Sequence, residues 1–185
     1  MAKSRPSRAR LFVALELPES TRARTARLLN PDEAWRPVPP RSLHVTLVFL
    51  GWRAEGEIDR TGALTARAAE GVKPIALVPT EVRLVPPRRP RLVALDLDDP
   101  AGTCGELQGS VSAALAGEGL YEPETRPFWP HVTLARVRRG HRPSGPPGLG
   151  SPPPAFDADR VVLYRSTPHP KGAEYEPLQA FTLEA

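Results

Sequence analysis

The tetrapeptide His-Val-Thr-Leu occurs twice, at residues 44–47 and 131–134, and it holds two of the four histidines in the chain. Histidine has an ordinary pKa of about 6.5, so both its protonation states are at hand near neutral pH. Each copy lies in a β-like apolar run. A strand alternates its faces, so His44 and Thr46 share one face, and His131 and Thr133 share one face. In-line displacement at phosphorus needs a base on the attacking oxygen and an acid on the leaving oxygen. It also needs donors to the non-bridging oxygens, where charge builds up. Two facing histidine–threonine pairs supply both sets of groups without a metal. Neither histidine has a carboxylate at a ligand-like spacing, so no metal site is expected.

One histidine on a strand is ordinarily structural, and threonine is common in strands for steric reasons. The repeated context is what makes these residues candidates. Arg10-Leu11-Phe12-Val13-Ala14-Leu15-Glu16-Leu17 resembles Arg91-Leu92-Val93-Ala94-Leu95-Asp96-Leu97. Each run reads as a buried strand that ends at an acid. Each is followed by a helix-start signal, Pro18-Glu19-Ser20 before a helix over 21–30 and Asp98-Asp99-Pro100 before one over 101–117. A Pro-containing loop then leads to the histidine strand. The order strand, helix, loop, histidine strand thus appears twice, which is an internal duplication.

Around this frame, 55–71 reads as a helix, and 74–85, 156–165 and 175–183 read as strands. Residues 141–155 hold six prolines and five glycines or serines, and read as a long flexible loop. The pattern predicts an α+β protein of two similar lobes, each a small sheet flanked by helices. The strands are not sorted into parallel and antiparallel by the sequence.

The 185 residues suffice for one compact unit or two intimately packed lobes. Lys3, Arg5, Arg8 and Arg10 account for the whole net charge of +4, since the rest carries 21 basic and 21 acidic residues. Residues 1–9 are therefore expected to be a basic disordered tail before a single bilobal unit over 10–185. A neutral body argues against gripping a long duplex and fits a protein that handles one phosphate at a time. The one cysteine, Cys104, excludes an intrachain disulfide and fits a reducing, cytoplasmic setting. No apolar run is long enough to span a membrane, and no hydrophobic signal core follows the basic start.

On these residues the chain resembles the two-histidine phosphoesterase superfamily, whose signature is a pair of His-x-Thr/Ser-x motifs. Within it, the chain is most similar to RNA 2′,3′-cyclic phosphodiesterases, also called 2′-5′ RNA ligases. The likeness includes Arg10 to Leu15, Leu43 to Leu47 with Phe49-Leu50-Gly51, and Pro130 to Val137. It also includes Ser166-Thr167-Pro168-His169-Pro170-Lys171-Gly172 with Tyr175.

The resemblance implies a bilobal α+β fold with both motifs in the cleft between lobes. It implies hydrolysis of an RNA-terminal 2′,3′-cyclic phosphate to a 2′-phosphate, with no cofactor. His131 would activate water, His44 would protonate the departing 3′ oxygen, and Thr46 and Thr133 would hold the phosphate. Which histidine gives the proton rests on the resemblance alone. Arg136 matches a basic family position, yet five residues from His131 a regular strand turns it away, so a phosphate-binding role requires a bulge or a strand end. Phe12, Trp129 and Tyr175 are candidates to stack on a base. His141 and His169 are expected to be solvated. The expected partners are RNA ends or short oligonucleotides with a cyclic phosphate, met by a monomer. Alternatives are 2′-5′ ligation of tRNA halves, another cyclic nucleotide substrate, or RNA-end binding without turnover.

Overall fold

The computed structural model describes residues 7–143, 145, 147–170 and 172–184. Lys3 and Arg5 of the basic start, Ser144 and Pro146 of the proline-rich loop, and Lys171 lie outside the described residues. In chain order the elements are β1 (Arg8–Glu16), α1 (Glu19–Ala26), β2 (Leu29–Asn30), β3 (Trp35–Pro37), β4 (His44–Ala54) and α2 (Ile58–Ala69). They continue with β5 (Ile75–Val85), β6 (Leu92–Asp98), α3 (Thr103–Gly117), β7 (His131–Val137), β8 (Gly148–Leu149), β9 (Phe156–Ala158), β10 (Arg160–Thr167) and β11 (Glu174–Thr182).

Nine strands form one sheet in the order β11-β10-β1-β4-β7-β6-β5-β9, with β3 added beside β7. All of the described pairings are antiparallel. The two duplicated units are half-sheets. They meet where β4 and β7 pair through Val45 and Val132. Beyond that pair β7 takes β3 as its neighbour instead, Trp35 to Pro37 lying against Val137 to Ala135. The divergence of β4 from β7 is what opens a cleft.

The segment 156–165, expected as a strand, is two strands, not one. Phe156 to Ala158 pair with β5 at one end of the sheet, while β10 pairs with β1 near the other. Only Asp159 separates them, so the sheet has to curl to bring its ends together. The proline-rich loop is pinned as well, because Leu149 and Gly148 pair with Leu29 and Asn30 of β2. The helix expected over 21–30 therefore stops at Ala26.

Strand β1 is buried on both faces. Leu11, Val13 and Leu15 enter the main core, together with Leu107, Val111 and Leu115 of α3. Phe12 and Ala14 point the other way, into a small cluster with Val162 and Tyr164. The main core lies under α2 and α3, and the small cluster lies beneath the cleft. Asp99 accepts a hydrogen bond from the Gly105 amide at 2.9 Å, which ties down the first turn of α3. In α2 the buried Thr61 and Thr65 hydroxyls donate to the carbonyls of Glu57 and Thr61, so neither is left unpaired. The disordered tail expected over 1–9 is corrected at its end, and residues 1–6 lie outside the described residues. Arg8 and Ala9 belong to β1 and pair with Ala54 and Arg53, and Ala9 is buried. None of the described helices is long and apolar enough to cross a membrane.

Candidate active site

In both histidine strands the side chains alternate between half-buried and buried over His-Val-Thr-Leu. The antiparallel register about Val45 and Val132 sets His44 across from Thr133 and His131 across from Thr46. Opposed residues in an antiparallel pair share a face, so all four polar side chains point to one side of the junction.

The two imidazoles are oriented in the same way. Nδ1 of His44 lies 2.8 Å from the Ser42 carbonyl, and Nδ1 of His131 lies 2.8 Å from the Trp129 carbonyl. A carbonyl only accepts, so each Nδ1 carries the hydrogen and each Nε2 is left for chemistry. Nε2 of His44 lies 3.1 Å from the Thr46 hydroxyl, which donates to it in the neutral form.

The duplication extends to a β-bulge. Val13 and Ala14 pair with Val48 and Thr46, leaving Leu47 without a partner on β1. Val93 and Ala94 pair with Ala135 and Thr133, leaving Leu134 without a partner on β6. Each extra residue flips the alternation that follows it. Arg136, opposite Leu92, is thereby returned to the face that carries His131 and Thr133. The bulge that its phosphate-binding role required is present. In the first half the same offset brings Phe49 to the site face, opposite Phe12.

The acids Glu16 and Asp96 occupy matching places but differ in use. Glu16 is paired with His44 in register, and Asp96 with His131. The Glu16 carboxylate is held by Arg22 at 2.8 Å and Arg160 at 3.0 Å. Asp96 is buried, pairs with Arg83, and accepts a hydrogen bond from the Trp129 indole at 3.2 Å. Trp129 in turn stacks on His131, with centroids 4.0 Å apart and planes 16° from parallel.

Burial lowers the pKa of both histidines. For His44 burial is the largest cause; the Ser42 carbonyl opposes it, and the charges of His131 and Arg136 add to it, taking the pKa down to about 4. For His131 burial again leads, but the Trp129 carbonyl and the Asp96 carboxylate both raise the pKa, against Arg136. Asp96 thus supports a proton on His131, whereas no carboxylate does so for His44.

A cleft of about 880 Å³ runs along this face. His44, Thr46, Thr133, Arg136 and Tyr175 line it; His131 and Trp129 stand outside its lining. Phe12 reaches it only with an edge and is 3% exposed. Its ring is stacked on Tyr164 at 5.0 Å and packed against Tyr175 and His44. The expectation that Phe12 stacks on a base is therefore corrected: it is the floor beneath His44. Trp129 gives a ring face to His131. Tyr175 meets the His44 ring edge-on at 5.3 Å and keeps part of its surface open to the cleft. His141 is exposed in a turn, and His169 is exposed on the cleft wall, 3.7 Å from Glu174. No group of three or more His, Cys, Asp or Glu side chains able to hold a metal occurs among the described residues.

Sequence reasoning missed several lining residues. Arg10, Arg36 and Arg41 face the cleft with Arg136. None of the four forms an ion pair among the described residues. Arg36 is placed by β3, directly opposite Arg136. Like charges set opposite each other destabilise a sheet, and this pair concentrates positive charge on the cleft wall. The one available signal was Arg10, which ends the basic run but also begins the β1 apolar pattern.

A family model described as the 2′-5′ RNA ligase superfamily matches residues 15–170. An RNA 2′,3′-cyclic phosphodiesterase of Thermus thermophilus is 34% identical over 197 residues, covering 94% of this chain and 90% of that protein. The crystal structure of TT0787 of Thermus thermophilus has a TM-score of 0.76 at 34% identity, covering 94% of this chain and 97% of that one. The crystal structure of E. coli LigT complexed with 3′-AMP has a TM-score of 0.73 at 27% identity, covering 97% of this chain and 100% of that one. With its duplicated histidine–threonine strands and a match that spans both of them, the chain belongs to the 2′-5′ RNA ligase superfamily.

Proposed function

We propose that the protein hydrolyses RNA ends carrying a 2′,3′-cyclic phosphate, leaving a 2′-phosphate. The reading rests on one observation: the junction pair Val45–Val132 sets each histidine opposite the other strand's threonine, on one face. A phosphate held between the strands has an imidazole on each side and a hydroxyl from each strand. His131 takes the proton of a water that attacks phosphorus. The bond from phosphorus to the 3′ oxygen breaks, and His44 delivers a proton to that oxygen. Thr46, Thr133 and Arg136 hold the non-bridging oxygens as charge grows on them. Every group in this sequence of steps belongs to the chain.

The electrostatics add a condition. Without substrate, His44 holds its proton poorly, with a pKa of about 4. The bound phosphodiester is an anion. It offsets the repulsion from Arg136 and His131 and raises both imidazole pKa values. The proton that His44 gives is therefore taken up together with the substrate. Backed by Asp96, His131 can hold the proton it receives from water until product leaves.

The setting in this reading is reducing and cytoplasmic. Its support is the cysteine count: Cys104 is the one cysteine, so the chain holds no intrachain disulfide, and the thiol is buried. The test is an oligonucleotide ending in a 2′,3′-cyclic phosphate, with the product separated as 2′- or 3′-phosphate. Conversion to the 2′-phosphate is expected. Absence of turnover overturns the proposal, and a 3′-phosphate product overturns the assignment of the leaving oxygen.

A further inference from the structure

We infer that the first half-sheet carries a second RNA subsite, outside the catalytic pairs, that binds the chain upstream of the reacting end. The inference rests on the cleft being a site for RNA ends. Its residues are Phe49 and Trp52 of β4 with Arg8 and Arg10 of β1.

Register places them together. Arg10 is opposite Trp52, Phe12 is opposite Phe49, and Arg8 is opposite Ala54. Phe12 and Arg10 are two positions apart on β1 and both reach the cleft, so Trp52 is on the cleft side of the sheet as well. The Arg10 guanidinium lies 4.7 Å from the Phe49 ring centroid and 3.5 Å from the Ser166 hydroxyl. Arg8 donates to the Trp52 carbonyl at 2.8 Å. Neither arginine is paired with a carboxylate among the described residues.

Exposure separates this patch from the rest of the surface. Three large apolar side chains are exposed among the described residues, and two of them are Phe49 at 41% and Trp52 at 52%. Two exposed aromatic rings beside guanidinium groups that no carboxylate neutralises among the described residues are what a single strand needs: ring surface for bases and cations for phosphates. A duplex would not fit the chemistry, because its bases are already stacked. The patch continues out of the cleft in one direction. Trp52 is eight residues along β4 from His44, a separation of at most about 29 Å by chain reach. Phe49 and Arg10 share the cleft with His44, whereas Trp52 stands outside its lining, so an oligonucleotide held at His44 engages Trp52 and a mononucleotide does not.

Two measurements test this. The first is binding of a 3′-phosphorylated tetranucleotide, which cannot turn over, to wild type, Trp52→Ala and Arg10→Ala. The second is hydrolysis of a nucleoside 2′,3′-cyclic phosphate by wild type and Trp52→Ala. Loss of one stacked base is expected to weaken tetranucleotide binding about 5- to 100-fold in Trp52→Ala. Loss of one phosphate contact is expected to lower the slope of log affinity against log salt by about 0.7 in Arg10→Ala. Mononucleotide hydrolysis should be unchanged in Trp52→Ala. Equal tetranucleotide binding by wild type and Trp52→Ala overturns the inference while the activity stands. A dimer that Trp52→Ala makes monomeric, with oligonucleotide binding unchanged, assigns the patch to a second copy and also overturns it. Binding that depends on Trp52 in a wild type without hydrolysis supports the subsite and defeats the proposed activity instead.

Discussion

Val45 faces Val132 at the junction of the two half-sheets, and both side chains are fully buried. The four groups proposed to act on phosphate flank this one pair. Its packing therefore sets the spacing between the histidines, although neither valine touches substrate.

Val132→Ala should show that coupling. Removing two buried methyl groups costs roughly 1–3 kcal/mol by transfer and cavity terms. A displacement of about 1 Å at a reacting group costs on the order of 10²-fold in rate. Urea titration should show a lower midpoint with an unchanged slope. Turnover, measured where the variant is fully folded, should fall by about tenfold or more. Full turnover in that folded variant would show that the junction does not set the spacing.

His44→Ala and His131→Ala should each reduce hydrolysis of the cyclic phosphate by about 10²–10⁴-fold. The leaving group separates the roles. An aryl phosphodiester with a nitrophenol leaving group departs without a proton, so it should restore much of the activity of His44→Ala and little of that of His131→Ala. The opposite pattern reverses the two assignments. EDTA should leave the wild-type rate unchanged, and strong inhibition by it would reject a mechanism made of the chain's own groups.

The pH dependence carries the sign of the histidine shifts. The profile of kcat/KM reports groups of the free enzyme. Both histidines lie below 6.5, His44 at about 4, so the bell should peak on the acid side of neutrality with one limb near 4. In the kcat profile, which reports the complex, both limbs should move up because the bound anion favours the charged imidazoles. Asp96→Asn removes a charge that raises the His131 pKa, so the limb belonging to His131 should move down. A kcat/KM bell centred above neutrality contradicts these electrostatics.

The legible parts of this fold are those written in local order. The repeated His-Val-Thr-Leu, and the acids Glu16 and Asp96 at matching positions, led to two units whose registers agree over Phe12–Glu16 and Leu92–Asp96. What escaped is relational. A bulge is a mismatch between two strands, and Leu47 and Leu134 carry no local mark of it, so the faces of Phe49 and Arg136 could not be read from one strand. The split at Asp159 was hidden because the alternation of Phe156-Asp157-Ala158 leads straight into the apolar Val161-Val162-Leu163, so 156–165 reads as one strand. Strand β3 was hidden because Trp35-Arg36-Pro37 lies among prolines, and with it went Arg36. Arg10 was counted with the basic start because charge and apolar pattern overlap there.

Arg136→Gln tests the electrostatic role of the residue that the second bulge brings to the site. The guanidinium has two effects of opposite consequence. It attracts the phosphate, and it depresses the pKa of both histidines. Its loss should weaken inorganic phosphate as a competitive inhibitor by roughly tenfold, since a hydrogen bond to a charged group contributes about 1.5–3 kcal/mol and Arg36 still faces the same cleft. Its loss should also move both limbs of the kcat/KM profile to higher pH. A purely structural role for Arg136 would alter stability and leave the limbs in place. The pH shift is therefore the decisive readout, and an unshifted profile with weakened phosphate binding would confine Arg136 to holding the anion.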